Sequence, residues 1–156
     1  MSKDAVLADL QKKVGTETGV GDWFAIDQAR INTFADATDD HQWIHVDPER
    51  AKKESPFGDT VAHGFLTLSL IPGLTREISD GGTPYPGVKL AVNYGMNKVR
   101  FPAPVKVNAR VRARTKLLDV SEVGGGGLQL TREITVEIEN GDKPACVAET
   151  LTRLYF

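Results

Sequence analysis

From Val105 to Ala113 apolar residues alternate one for one with Lys106, Asn108, Arg110, Arg112 and Arg114. The pattern returns at Leu128, Leu130, Ile134, Val136 and Ile138 against Gln129, Thr131, Glu133, Thr135, Glu137 and Glu139. A period of two is the signature of antiparallel strands with one buried and one wet face, so an all-helical fold is excluded. The counterpart of these strands is Phe65 to Ile71, which is apolar on nearly every side and predicts a helix buried all round. Strands with one dry face and a helix with no wet face have one economical arrangement, an α+β fold in which a curved antiparallel sheet wraps round the helix. With 156 residues the chain fits a single domain over 1–156, residues 1–20 being an N-terminal helix and linker.

Local signals divide the rest. Trp23 to Ile26 reads as a brief strand, and Asp27 is an N-cap for a helix over 28–37, where Ile31, Phe34, Ala35 and Thr38 recur at helical spacing. Residues 38–47 read as a polar loop, after which Asp47-Pro48 opens another helix that ends near Glu54. Pro72-Gly73 interrupts the apolar helix, with Leu74 and Ile78 continuing it briefly, and Gly81-Gly82-Thr83-Pro84 is a breaker. Residues 88–101 form a strand with a bulge at Gly95, Gly124 to Gly127 a hairpin tip, and Asn140-Gly141-Asp142 the turn into a last strand ending at Phe156. One sheet leaves open edges, so pairing into a dimer is expected.

Charge and cysteine content narrow the function classes. Lys and Arg number 19 against 21 Asp and Glu, a balance unsuited to electrostatic nucleic-acid binding. The single cysteine, Cys146, excludes an intramolecular disulfide and any site of several thiolates, and it fits a reducing cytoplasm. The first residues lack the apolar stretch of a signal peptide, and no stretch approaches a membrane span.

Chemistry concentrates at two places. Asp39, Asp40, His41, Gln42, Trp43 and His45 crowd the polar loop. Asp40 and His45 would diverge by about 140° on a helix, whereas in a loop they can converge on one water and serve as a general acid–base pair. The plainer alternative is that Asp40 caps a turn and His45 packs on Trp43. His63-Gly64 marks the start of the apolar helix, where free backbone N–H groups can receive an oxyanion; Gly64 as a simple turn residue and His63 as a cap or core histidine are the alternatives. A metal site is disfavoured because His41 and His45 have no tight third ligand in sequence. The Lys106, Arg110, Arg112, Arg114 strip reads as a solvated strand face with the option of meeting phosphates at its end, the glycines at 124–127 match no phosphate-binding loop, and Cys146 reads as a small buried hydrophobe.

Ala37-Thr38-Asp39-Asp40-His41-Gln42-Trp43-Ile44-His45 with Ala51 resembles the hydratase motif of the MaoC-like (R)-specific enoyl-CoA hydratases, whose fold is the hot dog. Phe57 to Gly64 resembles their following loop and helix start, and Asn93 to Pro102 their next strand; the sequence is especially similar to the small nodulation protein N-like group. The resemblance implies Asp40 and His45 as the catalytic pair, the Gly64 N–H as the oxyanion donor, and Ser69, Gln42 and His63 in support. It also implies no metal or redox cofactor, and an acyl chain carried by CoA or acyl carrier protein. Asp39, Gln42 and Trp43 stand where the family usually has Gly, Asn and Pro, which bears on substrate preference. A hot dog thioesterase and a non-catalytic acyl-CoA-binding protein are the rival readings, since the fold alone decides none of them.

Overall fold

The computed structural model describes residues 2–75 and 84–156. Helix α1 (Lys3–Lys13) is capped by Ser2, whose hydroxyl accepts from the Ala5 N–H, and is tied to the sheet by the Lys3–Glu122 ion pair. Strand β1 (Glu17–Val20) follows where a linker was expected: it has no apolar alternation, yet it pairs antiparallel with Arg114–Lys116. Strand β2 (Phe24–Ala25) lies farther along the same neighbour. Asp27 caps α2 (Gln28–Thr38) through the Arg30 N–H, and Asp47 caps α4 (Pro48–Glu54) through the Arg50 N–H, as the capping signals predict. The loop between them is not wholly irregular, because Trp43–Val46 winds into one helical turn, α3.

The apolar helix is the main departure. Helix α5 (Gly64–Ser69) breaks at Leu70, and α6 (Ile71–Leu74) carries Pro72 in its first turn. Leu66 and Thr67 are buried, but Phe65 is 67% exposed and Ser69 faces out, so α5 buries one face and not all round. The expected last turn at Ile78, and Gly81 to Thr83 of the breaker, lie outside the described residues.

The sheet is completed by β3 (Leu90–Arg100), β4 (Arg110–Val123), β5 (Gly127–Ile138) and β6 (Cys146–Tyr155), all pairs antiparallel, in the order β1-β4-β5-β6-β3 with β2 beside β4. The register of β3 against β6 shifts between Asn93 and Gly95, at the expected bulge. Strand β4 starts later than the alternation suggests. Residues 105–107 instead bond the 60–62 segment around an isolated bridge between Lys106 and Val61, with Ala62 N donating to Val105 O and Val107 N to Thr60 O. Asn108 then turns the chain with φ of 66° before the ladder begins. An extended segment keeps a two-residue period whatever it pairs with, so periodicity could not reveal the change of partner.

Both halves of the core lie on one face of the sheet. Ile31, Leu66, Ile71 and Leu74 pack on Val111, Ala113, Ile134, Val136 and Ala148, while Val6 and Leu10 pack on Leu117, Val120, Leu128, Leu130 and Leu154. The bulge between Leu117 and Asp119 lets the inward positions of β4 switch from odd to even numbers without turning the strand over. On the outer face Arg110 pairs with Glu139, Arg112 with Glu137, and Arg114 with Glu137 and Glu17. These arginines are matched by carboxylates across the strands, which supports the solvated-face reading over phosphate contact.

Candidate active site

Helix α2 ends because Asp39 takes the left-handed conformation, φ 58°, which turns the chain so that Asp40 leaves the helix axis. Asp40 keeps a half-exposed carboxylate. The turn of α3 then carries His45 inward, with the His45 N–H bonded to Gln42 O and its ring 8% exposed. Opposite it, the extended segment Thr60 to His63 runs beside α3, joined by Val61 N donating to Ile44 O.

These two segments assemble three side chains. One carboxylate oxygen of Asp40 and one ring nitrogen from each of His45 and His63 lie within 4.8 Å of one another. The imidazoles of His45 and His63 stack with centroids 3.8 Å apart and planes 24° apart, and the Phe34 ring of α2 packs on His63 at 5.0 Å, tilted by 55°. His45 therefore packs on His63 and not on Trp43, whose ring lies under the Arg50 guanidinium at 4.3 Å. His45 Nδ1 donates to Val61 O at 2.6 Å. A carbonyl only accepts, so Nδ1 carries the proton and the neutral ring offers Nε2 as a base. Burial pushes the His45 pKa below the ordinary histidine value; the bond to Val61 opposes this, and the neighbouring His63 adds to it.

The arrangement does not suit a shared cation. Each imidazole holds a metal in its own ring plane at about 2.1 Å from nitrogen. Two planes only 24° apart across a 3.8 Å stack do not meet within that reach. His41 goes elsewhere, its Nε2 lying 2.8 Å from Asp36 Oδ1 on α2.

The remaining expected residues divide. Gly64 begins α5 beside the cluster, where the first N–H groups of a helix have no intrahelical acceptor. A Cβ at Gly64 would stand 3.1 Å from the Phe101 ring, so glycine also permits that close packing. Gln42 acts through its backbone, its carbonyl accepting from His45 N and its N–H reaching Asp40 Oδ1 at 3.4 Å. Ser69 is not brought to the cluster: its hydroxyl donates to Phe65 O, and it lines a groove beside β3 with Asn93 and Met96. Gln28 is a residue that sequence reasoning missed. Its amide donates to His45 O at 2.7 Å and accepts from the Thr60 hydroxyl at 2.6 Å, locking α2, α3 and the 60–63 segment together. No local signal marks it, because a glutamine in the first turn of a helix is ordinary.

Residues 9–138 match the family model described as the MaoC like domain. The chain is 54% identical over 147 residues to 3-hydroxyacyl-thioester dehydratase Z of Mycobacterium tuberculosis, covering 94% of each chain. It is 47% identical over 150 residues to nodulation protein N of Rhizobium leguminosarum bv. viciae, covering 96% of this chain and 91% of that one. Among solved structures, the (R)-hydratase from A. caviae involved in PHA biosynthesis superposes with a TM-score of 0.61 at 25% identity, covering 86% of this chain and 95% of the other.

Proposed function

The chain belongs to the MaoC-like dehydratase family, and from that membership we propose that it is an (R)-specific enoyl-CoA hydratase, adding water to trans-2-enoyl-CoA or catalysing the reverse dehydration of (R)-3-hydroxyacyl-CoA. At the coarser level it is a hydro-lyase, a hydratase or dehydratase of acyl thioesters, with a hot dog fold. The observation that carries the finer reading is the convergence of Asp40 and His45, with His45 Nδ1 already committed to Val61 O.

In this mechanism the pair holds a water against C3 of the enoyl thioester. The water oxygen bonds to C3 while its proton passes to His45 Nε2, Asp40 orients the water, and C2 takes a proton from the pair. The net change is addition of H and OH across the double bond. The Gly64 N–H donates to the thioester oxygen as negative charge develops there, a contribution of about 3–4 kcal/mol for donors of this kind. No step calls for a metal or redox cofactor, and CoA or acyl carrier protein carries the acyl chain as part of the substrate.

The same reading includes a homodimer. Strand β3 is a sheet edge whose Leu90, Val92, Tyr94 and Met96 are all exposed, and a groove of about 350 Å³ between it and α5–α6 is lined by Leu68, Ile71, Pro72 and Met96. A second copy paired along this edge covers apolar area that an isolated chain leaves wet.

Incubation with crotonyl-CoA tests the activity. Loss of the enoyl absorbance with no free thiol is expected; release of thiol would make the protein a thioesterase, and binding without either change would make it a carrier. Asp40→Asn and His45→Ala are each expected to lower kcat by about 10²–10⁴-fold with the fold intact by circular dichroism. Chiral analysis should return the (R)-3-hydroxy product, and the (S) product would overturn the stereochemical part.

A further inference from the structure

We propose that His63 is a positioning residue that sets the place of Asp40 by holding its main chain. The inference rests on the hydratase reading for its consequence and on geometry for its content. His63 is 2% exposed, the most buried of the three clustered side chains. Its Nε2 lies 2.9 Å from the backbone carbonyl oxygen of Asp40 and 3.9 Å from the carboxylate Oδ2. The short contact is to an atom that only accepts, so Nε2 carries the hydrogen and donates it. Nδ1 is buried and has no hydrogen-bond partner. A hydrogen there would be a buried donor with no acceptor, which selects the Nε2–H tautomer a second time.

The Asp40 main chain needs such an anchor. It follows the left-handed Asp39, no longer belongs to α2, and precedes α3 by three residues, with its side chain half in solvent. The stacked His45 ring and the tilted Phe34 ring both pack on His63 and restrain its ring plane, and Ala62 N bonded to Val105 O fixes the segment that carries it. One side chain thus refers the carboxylate and the imidazole of the proposed pair to the same rigid segment, so the distance between them is set by packing and not by the loop. The functional consequence belongs to the chemical step: loosening Asp40 misplaces the water while leaving acyl-thioester binding largely alone.

The test separates the hydrogen bond from the bulk of the ring. Glutamine places its amide Nε2 about as far from Cα as histidine places Nε2, whereas asparagine places its nitrogen near the Nδ1 position and cannot reach the Asp40 carbonyl. His63→Gln is expected to retain kcat within about fivefold and His63→Asn to lose about 10–100-fold, with KM changed less than about twofold in both. Equal kcat in the two variants, or a loss expressed in KM alone, would overturn the proposal. An independent measurement needs no variant and no substrate: long-range ¹H–¹⁵N correlation on the wild-type protein should report a hydrogen on His63 Nε2, and an Nδ1–H tautomer with bare Nε2 would overturn the proposal. A wild-type protein that shows the Nε2–H tautomer and fails to hydrate crotonyl-CoA would refute the hydratase reading and leave the anchor standing.

Discussion

His45 sits where burial disfavours its charged form, with a single donated bond that leaves Nε2 free. Because the folded ring binds a proton less readily than the unfolded one, the neutral base persists below the ordinary histidine value of about 6.5. The acid limb of a kcat/KM profile for crotonyl-CoA hydration is therefore expected below pH 6.5, and a limb above it would contradict the assignment. The same sign governs stability: the contribution of this ring is fully present above the unfolded value and is lost as pH falls towards the folded one. Asp40 and His45 stand out in the sequence because they sit five apart among turn-forming residues, but spacing alone leaves a turn cap and a packed ring as alternatives, and it is the resemblance that singles them out as a pair. Gln28 and Phe34 are not legible, because their importance comes from contacts 17 to 32 residues away in the chain. Cys146 is buried and its thiol is pushed up to about 11, so native protein is expected to resist a thiol reagent that reacts promptly after denaturation.

Elements follow the sequence where their signal is local. The N-caps of α2 and α4, the bulge at Gly95 and the turn at Asn140 are each encoded within a few residues. Strand β1 is encoded elsewhere, in the free edge of β4, which supplies the partners that Glu17–Val20 lacks any pattern to announce. The chain leaving β1 is held just as tightly: Gly21 N donates to Ala113 O, and a Cβ on Gly21 would come within 2.1 Å of the Leu74 carbonyl oxygen. Backbone cannot yield as a flexible side chain can. Gly21→Ala is expected to destabilise the protein by about 1–3 kcal/mol, read as a lowered midpoint in urea, whereas Gly19→Ala, with open space around its Cβ, should cost far less.

At the scale of the whole molecule the proposed dimer makes the clearest demand. Val92→Asp with Met96→Asp places two charges on the exposed edge and is expected to yield a monomer by sedimentation, with secondary structure retained and hydration reduced. A dimer of unchanged affinity would place the interface elsewhere. Among the described residues no helix is long and apolar enough to cross a membrane. The sequence alone determined that there would be a half-buried antiparallel sheet, an apolar helix docked on it, and a polar loop that holds Asp40 and His45 five residues apart. These follow from periodicity, caps and spacing, which act over one or two turns of chain. Tertiary structure decided the partner of each extended segment, the exposed face of α5, and the stack of His45 on His63 that gathers Asp40 into the site. Those outcomes depend on which surfaces remain unpaired once the sheet has closed over its core, and no local pattern carries that information.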